Sequence, residues 1–244
     1  MKKLSKTARQ NGITYGIVII AFVVMQILIS TGNISSSLEG LLIPFCYYVI
    51  LAVSLNLVVG VLGELSLGHA GFMCVGAFAS AFFTKCVQDT ITNSLLRFVL
   101  ALIIGALAAA LFGVLIGIPV LRLRGDYLAI VTLAFGEIIK NLVNVLFIGR
   151  DSSGFHFSMK DAFSLGMEPD GVVLVNGPQG ISGIPHDSTF IIGVVLVLLT
   201  LFIVLRLINS RDGRAIQSIR DNRIAAESVG INVTKYKLMA FSVS

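Results

Sequence analysis

Six long apolar runs constrain this chain more than any other feature. Each extends over roughly 20 residues, the length that an α-helix needs to cross the hydrocarbon layer of a membrane. The 244-residue chain is 56% hydrophobic and only 13% charged, about half the charged share of a soluble domain. Backbone polar groups in lipid must be paired internally, which favours helices. We therefore predict an all-α, polytopic helical membrane protein. The runs cover roughly residues 13–31, 41–62, 65–84, 98–121, 127–148 and 189–208.

A seventh apolar run begins near Leu238, but the sequence ends at Ser244. So short a run cannot cross a bilayer. We therefore expect residues 1–244 to form a single transmembrane domain that is truncated at its C-terminal end, with six spans and the start of a seventh.

The basic residues predict the orientation of the chain, because loops rich in Lys and Arg stay in the cytoplasm. With the N-terminus inside, thirteen basic residues fall on the inner side and four on the outer side. This places 149–188 in an extracytoplasmic loop, either functional or loosely ordered, and 209–237 in a cytoplasmic loop. No basic soluble domain is available to bind nucleic acid. The inner residues are Lys2, Lys3, Lys6, Arg9, Arg122, Arg124, Arg206, Arg211, Arg214, Arg220, Arg223, Lys235 and Lys237. The outer residues are Lys85, Arg97, Arg150 and Lys160.

The reactive residue types show no pattern of a metal or catalytic site. The cysteines lie in or beside apolar runs without metal-ligand spacing, and the histidines fall in different segments without an HExxH motif. No GxSxG or Walker-type motif is present either. We therefore expect no catalytic residue and no metal site. The residues concerned are Cys46, Cys74, Cys86, His69, His156 and His186.

The stretch VVGVLGELSLGHAGF, residues 58–72, interrupts the apolar pattern with glycines and a few polar residues. Interrupted helices often line transport sites, and irregular backbone survives in a membrane only where its polar groups are satisfied. The alternative is a short cytoplasmic turn. As candidate pathway residues we take Asn56, Gly60, Gly63, Glu64, Ser66, Gly68, His69, Glu137 and Asn141.

Two features of the fourth and fifth runs concern packing. Small residues recur every fourth position in the fourth run, which predicts a face for close helix contact. In the fifth run, Glu137 and Lys140 lie one turn apart and form a predicted ion pair. Such a pair should face the bundle interior or a cavity, as a structural pair or as part of a pathway. The small residues are Gly105, Ala109, Gly113 and Gly117.

The cytoplasmic loop 209–237 is predicted to form two short helices. Asp212 is the candidate cap of the first, and Asp221 or Asn222 caps a second helix, from about Arg223 to Val229. Gly230 is its predicted left-handed stop. The basic residues of the loop, Arg214, Arg220 and Arg223, are predicted to face a partner.

Four stretches, in order, resemble the LivM-type permease subunits of branched-chain amino acid ABC importers. The resemblance runs from about residue 41 to the end. The stretches are LNLVVGVLGELSLGHAGF (55–72), LRLRGDYLAIVTLAFGEIIKNL (121–142), NGPQGISGIP (176–185) and GRAIQSIRDNRIAAESVGINVTKYKLMAF (213–241). The last stretch is also similar to the "EAA" loop by which importer permeases dock onto their ATPases. Its candidate coupling residues are Gly213, Arg214, Arg220, Arg223, Ala225, Ala226, Glu227 and Gly230.

The resemblance implies the permease fold of an ABC importer and a multi-pass position in a bacterial cytoplasmic (inner) membrane, with the N-terminus cytoplasmic. It implies a LivH-type second permease subunit, two ABC ATPase subunits, an extracytoplasmic substrate-binding protein and surrounding lipid as partners. The chain would form half of the pathway for leucine, isoleucine and valine. ATP and Mg would be bound by the partner ATPases, so the chain itself would have no cofactor and would not be an enzyme.

Three alternatives remain at this point. Related ABC permeases carry urea or short amides and share much of the pattern. A secondary transporter or channel would need internal repeats and buried acidic coupling sites, for which the candidates are Glu137 and Glu64. An integral membrane enzyme would need a nucleophile–base or metal constellation, which the sequence does not offer.

Overall fold

The computed structural model describes residues 6–32, 35–88, 90–120, 126–169, 171–185 and 187–244. Within these ranges, six helices are long and apolar enough to cross a membrane, which confirms the prediction of a helical membrane protein with six spans. They are α1 (Lys6–Ser30), α2 (Ser36–Asn56) with its π-helical continuation Leu57–Leu62, α3 (His69–Val87), α4 (Ser94–Val120), α5 (Asp126–Asn144) and α6 (Phe190–Ile208). Five residues used in the predictions of orientation and of reactive sites lie outside the described residues: Lys2, Lys3, Arg122, Arg124 and His186.

Three shorter helices follow α6. They are α7 (Arg211–Asp221), α8 (Arg223–Ser228) and α9 (Val233–Val243). The apolar run predicted to begin near Leu238 thus belongs to a helix that already begins at Val233.

The chain divides into two compact units. The first contains the described residues of Met1–Leu62 and Ser188–Ile231, together with Ser244. Its core lies between α2 and α6, where the side chains of Cys46, Val194 and Val197 are buried together. Residues of α1 pack against this cluster, including Phe22, whose ring lies 5.6 Å from that of Phe190.

The second unit contains the described residues of Gly63–Asp187 and Asn232–Val243. Here α3 packs along α4, and α9 packs against the end of α4. Leu238 and Phe241 of α9 contact a buried pair formed by Val120 and Leu128. Since α9 directly follows the loop 209–232, its attachment to this core fixes one end of that loop.

Close contact between α3 and α4 occurs at one end of the predicted small-residue face. A Cβ atom at Gly105 would lie 2.8 Å from the carbonyl oxygen of Gly76, and Ala109 also contacts Gly76. Gly113 and Gly117 are also buried. Among the described residues, however, no atom outside its own helix lies within 4 Å of a Cβ built at Gly113. The close approach seen within this chain therefore involves Gly105 and Ala109, and a packing role for Gly113 stays a prediction.

Gly105→Leu is expected to destabilise the protein by about 1–3 kcal/mol, because extra atoms in a close helix contact force the backbones apart. Gly113→Leu places the same side chain where the contact is open, and it is the matched control. Thermal unfolding in detergent should show the larger loss for Gly105→Leu. An equal loss in both variants would contradict this assignment of the contact.

The long loop after α5 contains a small antiparallel sheet that the sequence patterns did not predict. It is formed by β1 (Phe147–Asp151), β2 (Gly154–Ser158) and β3 (Val172–Asn176), in the order β2–β1–β3. Each strand has only five residues, and buried and exposed positions alternate regularly in β2 but not in β1 or β3. The loop is therefore a folded element, and α5 ends at Asn144 rather than near residue 148.

Two contacts tie the end of this loop to the helices of the second unit. The Arg97 guanidinium forms a buried ion pair with Asp187, 2.7 Å between Nη2 and Oδ1, and Ser94 also donates to that carboxylate. Lys85, at the end of α3, donates to the carbonyl oxygens of Ser182 and Gly183. Burial by itself raises the pKa of Asp187. The hydrogen bonds from Arg97 and Ser94 and the positive charge of Arg97 lower it, and the net effect is a lowered pKa.

Asp151 organises the β1–β2 turn. Its carboxylate accepts hydrogen bonds from the hydroxyl and backbone N–H of Ser153 and from the backbone N–H of Gly154 and Glu168. The Ser153 hydroxyl contributes most to lowering the pKa of Asp151, and these donors together with His156 outweigh the opposing effect of burial.

The stability of the sheet should therefore depend on pH. A carboxyl group whose pKa is lower in the folded state stabilises the fold above the unfolded-state pKa of about 4 and loses this contribution as the pH falls below it. Protection factors of the β1 and β2 amides, corrected for the intrinsic exchange rate, should fall in the wild type as the pH drops below about 4. Asp151→Asn should be less protected at neutral pH and should lose most of this pH dependence. Identical profiles for the two proteins would contradict the role of Asp151.

Candidate functional site

The helix that begins as α2 changes form before it ends. It widens into the π-helical segment Leu57–Leu62, and residues 63–68 then run without regular structure to the start of α3 at His69. We call residues 57–68 the broken segment. Gly63 begins its irregular part with φ +79°, a left-handed conformation that favours glycine. This is the helix interruption that the glycines predict, and α3 begins four residues later than the apolar run suggests.

The C-terminal half of the broken segment is held against α5. The buried Thr132 hydroxyl accepts a hydrogen bond from the backbone N–H of Leu67 at 3.1 Å and itself donates to the Ala129 carbonyl. A Cβ atom at Gly68 would lie 2.6 Å from the Thr132 carbonyl oxygen, so only glycine permits this approach. The irregular backbone is thus paired at Leu67 by a protein group.

One turn further on, Gly71 of α3 continues the contact with α5. A Cβ there would lie 2.9 Å from the Cα of Gly136, and the rings of Phe72 and Phe135 pack with centroids 5.0 Å apart. Ser66 is buried, whereas His69 is half-buried. Gly68, a member of the candidate pathway set, and Gly71 of α3 are therefore positions where the chain closely approaches α5.

Glu64 forms an ion pair with Lys237 of α9. The two residues are 173 positions apart in the sequence. The Lys237 side chain is only 1% exposed and that of Glu64 17%. A lysine so deeply buried is expensive unless a carboxylate is close, so this contact fixes the irregular part of the broken segment to the end of the 209–237 loop.

The loop itself forms a compact pair of helices, α7 and α8. Ser210 caps α7 by accepting the Gly213 N–H at 3.0 Å, and Asn222 caps α8 by accepting the Ala225 N–H at 3.1 Å. Gly230, with φ +86°, ends α8. The structure thus selects Asn222 from the two predicted caps, and it places a left-handed glycine where the sequence predicts one. Asp212 is not the cap of the first helix; it lies in the first turn, where its charge suits the helix dipole.

The arginines of the loop differ in what they contact. Arg220 donates from Nη1 to the carbonyl oxygen of Gly60 in the π-helical segment at 2.8 Å, and Arg223 pairs with Glu227 at 3.0 Å. Arg220 thus has a partner within its own chain, although it is exposed like Arg214. That the three arginines face another protein stays a prediction.

The outer surface of α8 is apolar as well as charged. Ile224 is 80% exposed and Val229 76% exposed, while Ala226 is buried on the inner side. Ala225 and Glu227 are also exposed. Two large aliphatic side chains on a polar loop form a small surface suited to burial against another protein.

The Glu137–Lys140 pair forms as predicted, with 3.1 Å between Nζ and Oε2, but its location differs. The side chains are 56% and 62% exposed, because the opposite face of α5 carries the contacts with the broken segment. That the pair faces the bundle interior or a cavity stays a prediction, since the described part of this chain leaves its side of α5 uncovered. Asn141 lies exposed beside it.

Sequence reasoning missed several residues that the structure makes important. Thr132 and Lys237 were not candidates, although a polar residue within an apolar helix and a lysine at the edge of an apolar run are both signals of a buried partner. Arg97 was counted only as a topological charge. Among the described residues no cluster of His, Cys, Asp or Glu could hold a metal ion.

Comparison with known families and proteins finds similarity over most of the chain. Residues 37–244 match the family described as "Branched-chain amino acid transport system / permease component". The permease protein LivM of the high-affinity branched-chain amino acid transport system of Salmonella typhimurium is 34% identical over 247 residues. That alignment covers 98% of this chain and 55% of the relative.

The LivM permease protein of Escherichia coli K12 is 37% identical over 207 residues, which cover 81% of this chain and 47% of the relative. The chain thus spans about half the length of the curated relatives it matches. No solved structure matches it.

Proposed function

The chain belongs to the family of permease components of branched-chain amino acid transport systems, and from this premise we propose that it forms half of the translocation pathway of an ATP-driven importer for leucine, isoleucine and valine. The family match supports the transport role, and the relatives' names support the substrate class. The chain acts by changing shape rather than by making or breaking bonds. ATP and Mg are bound by two partner ATPase subunits.

The observation that carries this proposal is the form of the loop 209–237. Two capped helices meet at Asn222 and present Ile224, Glu227 and Val229 outward. A rigid, partly apolar projection of this kind suits docking into a cleft of a soluble subunit. Two further candidate coupling residues determine the shape of the loop. Gly213 permits α7 to approach the end of α6, and Gly230 ends α8.

The translocation pathway is proposed to run past α5 and the broken segment. Glu137 lies close to the middle of the span Tyr127–Asn144, and Lys140 lies about one turn further toward its end. Charged side chains at that depth avoid lipid and face water or protein. We place this face of α5, with Asn141, toward a pathway shared with a LivH-type second permease subunit. An extracytoplasmic binding protein delivers the substrate to it.

The proposal is tested by reconstituting the subunit with its co-expressed partners in proteoliposomes. Uptake of labelled leucine should require ATP, the loaded binding protein and both permease subunits. Labelled urea and acetamide serve as competing substrates. Uptake of urea in place of leucine would overturn the substrate assignment, and uptake driven by an ion gradient without the ATPases would overturn the importer assignment.

The proposed orientation places the N-terminus and α7–α8 in the cytoplasm of a bacterium, with the sheet on the outside of the inner membrane. In a variant without the three native cysteines, Ser164→Cys should react with an impermeant maleimide in intact cells. Ser228→Cys, which is also exposed, should react only after the membrane is opened. Labelling of position 228 in intact cells would show that the proposed orientation is wrong.

A further inference from the structure

The loop that carries α7 and α8 contacts the broken segment at two places, one within each compact unit. In the first unit, Arg220 of α7 donates to the Gly60 carbonyl at 2.8 Å. In the second unit, Lys237 of α9 pairs with Glu64. The π-helical part and the irregular part of one segment are therefore both attached to residues of the same loop, which lies more than 140 positions later in the sequence.

The Arg220 contact meets a chemical need of the broken segment. Gly60 lies in the last turn before the helix ends at Leu62, and carbonyl groups in a last turn have no partner further along the helix. A guanidinium supplies a charged donor, which forms a stronger hydrogen bond than a neutral one. Ile216 and Ile219, on the same helix as Arg220, are buried, so α7 holds this arginine in place.

The side chain of Lys237 is held more tightly than that of Arg220. Lys237 is almost fully buried, and the apolar residues that follow it on α9, Leu238 and Phe241, pack against Val120 and Leu128. The ammonium group therefore cannot move to water without displacing α9. Removing one partner of a buried ion pair leaves an uncompensated charge. Glu64 thus follows α9 when α9 moves.

We infer that Glu64 and Lys237, together with Arg220, are positioning residues that transmit movement of the loop to the broken segment during transport. Displacement of α7 shifts the Gly60 carbonyl, and displacement of α9 shifts Glu64. The broken segment between them changes its conformation next to the pathway. The inference rests on the proposed function, because it assumes that an ATPase moves this loop.

The test uses the complete complex in proteoliposomes and measures two rates together: ATP hydrolysis stimulated by the loaded binding protein, and uptake of labelled leucine. Glu64→Gln and Lys237→Met each remove one charge of the pair. The double variant Glu64→Lys with Lys237→Glu reverses both charges. Lys235→Met removes an exposed charge from the same helix and is the matched control. Co-purification of all subunits measures assembly.

Each single variant should lower the uptake per ATP hydrolysed about tenfold, within the range of coupling energies between distant sites. The control should change it by less than about twofold. The charge-reversed pair should recover much of the loss, since it retains opposite charges. Arg220→Met should also lower the ratio, whereas Arg220→Lys, which keeps a donor, should lower it less.

Normal uptake per ATP in assembled Glu64→Gln and Lys237→Met complexes would overturn the inference. A charge-reversed pair as poorly coupled as the single variants would overturn it as well. If the single variants do not assemble, Arg220→Met decides: a lowered ratio supports the inference and a normal ratio contradicts it. Failure of the wild-type complex to show ATP-dependent uptake would instead contradict the proposed function.

Discussion

Gly230→Val is expected to abolish nearly all ATP-driven uptake while the protein remains in the membrane. Gly230 has φ +86°, and its N–H and that of Ile231 donate to the Glu227 and Ala226 carbonyls, which ends α8. A left-handed backbone costs an ordinary residue about 1–2 kcal/mol, and a β-branched residue more. Since none of the described residues, apart from the two chain neighbours, places an atom within 4 Å of a Cβ built at Gly230, the effect comes from backbone conformation.

The matched variant is Gly230→Asn, because asparagine tolerates the left-handed conformation better than other residues with a side chain. It should retain most of the uptake. Leucine uptake and the ATPase activity that co-purifies with the permease are measured for both variants. Equal uptake in the valine and asparagine variants would show that the end of α8 is not required for coupling.

Gly213→Ala is expected to have the largest effect on stability in the loop. An ideal Cβ there would lie 2.2 Å from the Leu207 carbonyl oxygen and 2.4 Å from that of Ile208. Both atoms are backbone, so no side chain can turn away, and α7 must move from the end of α6. Overpacking of this kind typically costs about 1–3 kcal/mol, and a backbone clash belongs at the upper end.

Gly40→Ala is the control for this substitution, because Gly40 lies within α2 and, outside that helix, no atom of the described part of the chain comes within 4 Å of its Cβ position. Alanine is the better helix former and should stabilise that position by about 0.5–1 kcal/mol. Thermal unfolding of the detergent-solubilised protein should therefore shift in opposite directions for the two variants. An unchanged transition in Gly213→Ala would show that α7 is not seated against α6 as the structure places it.

The elements with strong local signals were predictable from the sequence. The spans follow from apolar length alone, and α8 could be predicted between Asn222 and Gly230, because a side-chain cap and a left-handed glycine act within a few residues. The first cap was assigned wrongly because Ser210 and Asp212 are both suitable cap residues, and the choice depends on where α6 ends.

The contacts that connect the site were not predictable in the same way. Glu64 and Lys237 are 173 positions apart, and Leu67 and Thr132 are 65 apart. Their pairing depends on how helices pack, which no local pattern encodes. The Glu137–Lys140 pair shows the same limit: helical spacing predicts the pair, but only the packing of α5 determines which face it occupies. The sheet was missed because its strands are short and lie in a Gly-rich loop.

We propose that α7 and α8 dock onto an ATPase subunit, and cross-linking from position 224, whose side chain is 80% exposed, tests this most directly. Ile224→Cys, labelled with a short photoreactive reagent in the assembled complex, should cross-link to the subunit that binds ATP, and the yield should change when ATP is added. Ser164→Cys, in the loop after α5, should not. An active complex in which position 224 never cross-links to the ATPase would contradict the account.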